Sequence, residues 1–294
     1  MNNLTEFQKK FYNRINLKPI DNLKFEDLSI IMKSCSETFS FENLDIVKEE
    51  IGEITKESIY KQLLLETNGG LCYKLNGLLY YFLLDCRFDV YLSMGTVVNG
   101  FNPWGSTDCH VVNIVNYNNK KYLVDIGFGG FIALNPILIN EFDNNYSNQI
   151  IKNENGLFKV ILENSKAINS NGENVNYTHT FQYRKDDNYL IESERNWSSG
   201  FVFNLNKVSD QSLFIIQNQI IRDQLEITKG PLVVKLTNEG TSTLTENNLT
   251  ITTHNGFKTK TPLKSRDHFN EILQKEFKIN NPILKKLNKN KNLF

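Results

Sequence analysis

Asn68-Gly69-Gly70-Leu71-Cys72-Tyr73 runs directly into Leu75, Leu78, Leu79, Phe82 and Leu83, and this stretch decides how the rest of the chain is read. The glycine pair breaks regular structure, and the apolar positions that follow recur at helical spacing. Cys72 therefore falls in the first turn of a buried helix. Unpaired N–H groups and the positive end of the helix dipole favour a thiolate there. Neither glycine carries a Cβ, so another backbone or a ligand can approach closely.

A β-hairpin follows. His110-Val111-Val112-Asn113-Ile114-Val115 and Lys121-Tyr122-Leu123-Val124-Asp125 flank the turn-forming Asn116-Tyr117-Asn118-Asn119-Lys120. Pairing Asn116 with Lys121 sets Ile114 opposite Leu123 and Val112 opposite Asp125. Strand side chains alternate, so His110 shares the face of Val112. His110 and Asp125 become diagonal neighbours with backbones roughly 7–8 Å apart, within side-chain reach. A carboxylate so placed fixes the imidazole tautomer and directs its other nitrogen toward a thiol. A slip of one residue puts the two on opposite faces, so the turn carries the inference.

Free cysteine is among the most buried residue types. Cys35, on the helical face of Leu28, Ile31 and Met32, and Cys86, at the end of its helix, read as structural. Cys109 adjoins His110 and points to the opposite face of its strand. Cys72 differs in its glycine turn and in the His-Asp pair downstream. On spacing alone it reads equally as a nucleophile and as a core thiol.

With 294 residues and 40% hydrophobic content, the chain can bury a sizeable core as one large domain or two to three small ones. Lys+Arg and Asp+Glu both number 33, so no global field draws nucleic acid or an anionic membrane. The start lacks the pattern of a signal peptide, and the longest strongly apolar run, Leu78 to Leu84, is too short to span a bilayer. Four scattered cysteines without a CxxC pair argue against a disulfide scaffold or a zinc site and fit a reducing cytosol.

Helical spacing at Leu4, Phe7, Phe11 and Ile15, at Leu28 to Cys35, and at Ile59 with Leu63 makes the first segment mainly α. Strands are expected at Val90 to Val98, His110 to Val115, Tyr122 to Ile126, Leu157 to Leu162, Thr178 to Tyr183 and Tyr189 to Ile191. Asn99 to Ser106 is a turn-rich loop, with Trp104 over the core or at a site entrance. Gly127-Phe128-Gly129-Gly130 reads as a turn; no helix follows to make it a nucleotide fingerprint. Ser165 to Asn176 reads as an exposed connection. Strands near Leu232 to Leu236 and Leu249 to Thr252 and a helix through Phe269, Ile272, Leu273 and Phe277 follow. The tail from Lys285 to Lys291 reads as a solvated end, and His179, His254 and His268 as surface or structural residues.

Gly69-Gly70-Leu71-Cys72-Tyr73, His110-Val111-Val112 and Val124-Asp125-Ile126-Gly127-Phe128-Gly129 resemble the arylamine N-acetyltransferase family, whose cysteine, histidine and aspartate follow in this order. Phe41-Glu42-Asn43-Leu44, Asn76-Gly77-Leu78-Leu79-Tyr80 and Glu271 to Ile279 extend the resemblance over most of the chain. It implies an α+β fold of the cysteine-protease-like kind. An N-terminal helical bundle (1–86) carries Cys72, a central β-barrel or sheet domain (87–200) carries His110 and Asp125, and a C-terminal α/β lid (201–294) closes the chain. It also implies a cytoplasmic, monomeric enzyme of xenobiotic metabolism whose co-substrate is acetyl-CoA, with no permanently bound cofactor. The acceptors would be arylamines, arylhydrazines or N-hydroxyarylamines. Cys72, His110 and Asp125 would be catalytic, Ser106, Cys109 and Gly129 would meet the coenzyme, and Phe128 would line the acceptor pocket.

Three departures stand out. The family usually has arginine where this chain has Asn68, often glutamate or glutamine where it has Lys74, and in many members a Ser/Pro-rich segment where it has Ile220 to Leu225. Two other readings keep or drop the chemistry: a transglutaminase-like or papain-like thiol hydrolase, and a catalytically silent homologue that binds small molecules.

Overall fold

The computed structural model describes residues 4–98, 106–140, 149–169, 173–184 and 197–280. Helix α1 (Glu6–Arg14) opens with a capping box in which Thr5 accepts from the Gln8 N–H and the Gln8 side chain reaches back. Helix α2 (Leu28–Thr38) follows, then a two-residue strand β1 (Phe41–Glu42), helix α3 (Leu44–Val47) and helix α4 (Lys56–Ile59), which runs on into a π-helical turn at Tyr60–Leu65. Helix α5 (Cys72–Asp85) is buried nearly all round, the mark of a core element. Phe11 of α1 stacks on Phe82 of α5 with ring centroids 3.8 Å apart.

Strands β2 (Val90–Val97), β3 (His110–Tyr117), β4 (Lys120–Val124), β5 (Ile137–Ile139), β6 (Ile151–Asn153), β7 (Gly156–Ile168), β8 (Asn174–Arg184) and β9 (Ser198–Phe203) form an antiparallel, nearly closed sheet in the order β5-β4-β3-β2-β9-β8-β7-β6. Period-two alternation splits its side chains between two cores. Val111, Val115 and Val124 pack with α5, whereas Val112, Ile114, Phe158, Phe181 and Phe201 fill the barrel. Asn116 pairs with Lys121 and Ile114 with Leu123, the register expected from the sequence. Its cause is the tight turn, where Asn118 and Asn119 both take positive φ (50° and 59°), as a two-residue hairpin with the right twist requires.

Helix α6 (Gln211–Arg222) lies against α5, with Leu213, Ile216 and Ile220 buried. Strands β10 (Leu232–Thr237), β11 (Gly240–Thr245), β12 (Asn248–Thr253) and β13 (Lys258–Pro262) make a second antiparallel sheet, and β1 joins its edge beside β10. Helix α7 (Arg266–Phe277) packs Phe269, Leu273 and Phe277 with Val233, Leu244 and Leu44. The fold is α+β.

The structure corrects several expectations. The described residues of the Ser165 to Asn176 segment, 165–169 and 173–176, are not a connection: they lie in two long paired strands, where Ser165 pairs with Tyr177 and Ile168 with Asn174. Ala167 and Tyr177 are buried there against Val202, while the exposed Lys166, Asn174 and Asn176 alternate with them. Helix α6 was not anticipated from the sequence. The ladder of β4 ends at Val124, so Asp125 lies one residue past it. The expected strand at Tyr189 to Ile191, Trp104 and the basic tail lie outside the described residues. Among the described residues no helix is long and apolar enough to cross a membrane.

Candidate active site

Cys72 is the first residue of α5, after the extended Leu71, and is 4% exposed. Its Sγ lies 3.7 Å from the carbonyl oxygen of Cys109, just before β3. His110 opens β3, and its Nε2 is 2.8 Å from Asp125 Oδ2. With Nε2 committed to the carboxylate, Nδ1 is the ring nitrogen left for Cys72, which lines the same cavity. Burial opposes a charged imidazole, but Asp125 and then Cys72 outweigh it and raise the His110 pKa to about 10. Asp125 thus favours the charged form of the ring, and a cation so placed favours thiolate over thiol in a neighbouring cysteine.

Asp125 is fixed in turn. Its Oδ1 accepts from Asn76 Nδ2 at 2.8 Å and from the Gly127 N–H at 2.7 Å. Asn76 is fully buried; its amide also donates to the Val111 carbonyl at 2.7 Å, and its Oδ1 accepts from the Ile126 N–H at 3.0 Å. One side chain thus ties α5 to β3 and to the residues that follow β4. The sequence reading noted Asn76 only as part of a motif. The available signal was an amide side chain four positions after Cys72, within the apolar stretch from Leu75 to Leu84.

Gly127 is required by proximity: a Cβ built on it would lie 2.9 Å from Cys72 Cα and 2.8 Å from Asn76 Nδ2. The turn after Asp125 therefore presses on the start of α5.

A cavity of about 310 Å³ opens above the thiol, lined by Cys72, Cys109 and His110 and by Phe128, Gly129 and Phe131. The second sheet contributes further walls, with Phe41 from β1 and Leu232 and Val234 from β10. Its lining is almost entirely apolar, which suits an aromatic or acyl group. The Phe128 ring meets His110 edge-on at 5.5 Å and Phe201 at 5.1 Å, and Phe201 itself lies 4.6 Å from His110. Burial pushes the Cys109 thiol up to about 12, so it stays neutral. Ser106 does not line this cavity. It is buried and donates to Asp223 Oδ2 at 2.7 Å, and the loop before it, residues 99–105, lies outside the described residues.

The remaining histidines stand apart from this group. His179 is buried in β8 with its Nε2 3.2 Å from the Asn140 carbonyl oxygen, and His254 is at that distance from the carbonyl oxygen of Asn238.

A profile of the N-acetyltransferase family matches residues 24–285. A probable arylamine N-acetyltransferase 3 of Dictyostelium discoideum is 36% identical over 289 residues, covering 92% of both chains. The crystal structure of arylamine N-acetyltransferase C from Bacillus anthracis superposes with a TM-score of 0.81 at 33% identity, over 94% of this chain and 99% of that one. An arylamine N-acetyltransferase of Bacillus cereus, described with a Cys-His-Glu catalytic triad, superposes equally well at 32% identity over the same shares. Extent, identity and fold agree, and the chain belongs to the arylamine N-acetyltransferase family of acyltransferases.

Proposed function

We propose that this protein transfers acetyl from acetyl-CoA to arylamines, arylhydrazines or N-hydroxyarylamines through an acetyl-Cys72 intermediate. The observation that carries the reading is the His110 ring, held 2.8 Å from Asp125 and set beside a helix-start thiol at the floor of an apolar cavity. The Cys72 thiolate attacks the thioester carbonyl carbon. The tetrahedral intermediate collapses by breaking the bond to the coenzyme sulfur, which leaves with the proton of His110. The amine nitrogen then attacks the acetyl-cysteine, the neutral imidazole takes its proton, and Cys72 departs as thiolate. Asp125 stabilises the imidazolium of the free enzyme, before acylation and again after the acetyl group has left. First-turn N–H groups of α5, which a helix leaves unpaired, serve the developing oxyanion. Phe128 faces the aromatic acceptor, and Gly129 and Cys109 border the path of the acyl donor. The four cysteines are free, in keeping with action in a reducing cytosol.

The test is intact-protein mass after brief mixing with acetyl-CoA and no acceptor, then peptide mapping and addition of an aromatic amine. An acetyl group on Cys72 that the amine removes supports the cycle, and Cys72→Ser should form none. No adduct on an alkylatable Cys72 would overturn it in favour of a thiol hydrolase, and an inert Cys72 in favour of a binding protein.

A further inference from the structure

Position 74, one of the departures from the family pattern, is occupied by a lysine whose side chain is only 4% exposed. Its Nζ is 2.5 Å from Asp45 Oδ2. Its aliphatic stem lies over the glycine turn, since a Cβ on Gly70 would fall 2.7 Å from both Cβ and Cδ of Lys74. On the other side of the turn, a Cβ on Gly69 would lie 2.1 Å from the Ser40 carbonyl oxygen and 2.8 Å from Glu42 Cγ. The glycine pair is therefore clasped between Lys74 and the 40–42 backbone. Two hydrogen bonds close the clasp: the Gly70 N–H donates to Ser40 O at 3.1 Å, and the Glu42 N–H donates to Gly70 O at 3.2 Å.

Glu42 is buried beside Asp45, with one oxygen accepting from the Leu44 N–H at 2.6 Å. Lys48, the other nearby cation, binds Glu50 at 2.7 Å. A buried carboxylate beside a half-buried one needs a cation. Asn68, the second departure, borders the same small polar cavity as Glu42, Asp45 and Lys74, and its Oδ1 is buried without a hydrogen-bond partner. An arginine at position 68 would have these carboxylates within reach.

We infer that Lys74 is a positioning residue: it supplies from inside α5 the cation that an arginine at position 68 would supply from before the glycine pair, and so fixes both Cys72 and the Phe41 wall of the cavity. The two departures are then one event, a relocated charge. The link to the site is direct, because Lys74 lies two residues after Cys72, while the clasped segment carries Phe41 into the cavity lining and pairs with β10, which supplies Leu232 and Val234. The inference rests on Cys72 as the reactive thiol.

The test is the second-order rate of Cys72 alkylation by iodoacetamide in Lys74→Gln, Lys74→Arg and Asn68→Arg/Lys74→Gln, with thermal unfolding and acetyl-adduct formation measured on the same samples. Lys74→Gln should lose at least tenfold. Lys74→Arg should stay within threefold of wild type, and Asn68→Arg added to Lys74→Gln should restore the rate to that range. A folded Lys74→Gln within twofold of wild type, or a folded double variant no faster than Lys74→Gln, overturns the inference. Should Lys74→Gln not fold, recovery of folding in the double variant supports the relocated charge and continued failure overturns it. If wild-type Cys72 takes no acetyl group while these alkylation rates shift as stated, acyl transfer falls and the positioning role stands.

Discussion

Replacing Asn76 by alanine should destabilise this protein by about 3–5 kcal/mol and slow its thiol chemistry. The side chain is fully buried and makes three hydrogen bonds, to Asp125 Oδ1, Val111 O and the Ile126 N–H. The bond to the carboxylate is worth about 1.5–3 kcal/mol and the stranded Ile126 N–H costs about 1–3 kcal/mol. These terms add to a large share of the roughly 5–15 kcal/mol that separates a folded domain from its unfolded chain. Asp125 keeps the Gly127 N–H and His110, so the pair loosens rather than dissolves. Cys72 alkylation should then fall by about ten- to a hundredfold, the scale expected when reacting groups shift by up to 1 Å. Guanidinium unfolding and iodoacetamide kinetics on one preparation give both numbers. A loss below about 1 kcal/mol with alkylation within twofold of wild type would refute the assignment of Asn76 as the tie between helix and sheet.

Gly127→Ala puts a methyl 2.9 Å from Cys72 Cα; we expect a loss of about 1–3 kcal/mol and an alkylation rate down about a hundredfold, and an unperturbed rate would show that the turn yields. Phe128→Ala removes edge-on contacts with His110 and Phe201; KM for an aromatic amine should rise about 2–12-fold, from about 0.5–1.5 kcal/mol per ring pair, and an equal rise in KM for acetyl-CoA would contradict an acceptor role. His110 binds its proton more tightly folded, with a pKa near 10 against about 6.5 unfolded. Its contribution to stability is complete below pH about 6.5 and is lost as pH rises toward 10, at up to about 1.4 kcal/mol per pH unit. Guanidinium unfolding across that window should show the decline and Asp125→Asn should flatten it; a wild-type curve already flat would refute the charged imidazole.

The parts of this site that were legible in the sequence are those whose geometry is local. Cys72 sits at a helix start because a glycine pair precedes an apolar 3.6-residue pattern. The register that sets His110 near Asp125 follows from Asn118 and Asn119, which tolerate the positive φ of a two-residue turn. Helix α6 escaped notice because Ile220 was read with the polar residues after it instead of with Leu213 and Ile216 before it. The strand pairing at Ser165 to Asn176 escaped because outward positions carry Lys166, Asn174 and Asn176, polar residues of the kind a loop uses, while Ala167, Val175 and Tyr177 turn inward.

What could not be read is what depends on distant elements meeting. Asn76 gains its role only once α5 lies across β3, and Phe41 becomes a cavity wall only because β1 joins a sheet whose other strands begin nearly 200 residues later. That topology makes the cavity depend on three layers: α5 supplies the thiol, the large sheet its histidine and aromatic flank, and the second sheet the opposite wall. The Lys74 clasp lies at their junction, since it joins the first turn of α5 to the one strand that leaves the helical segment for the second sheet. A residue that looks like a local departure beside the nucleophile therefore gains its meaning from Asp45 and Glu42, about 30 residues earlier in the chain, and only the folded molecule brings that pairing into view.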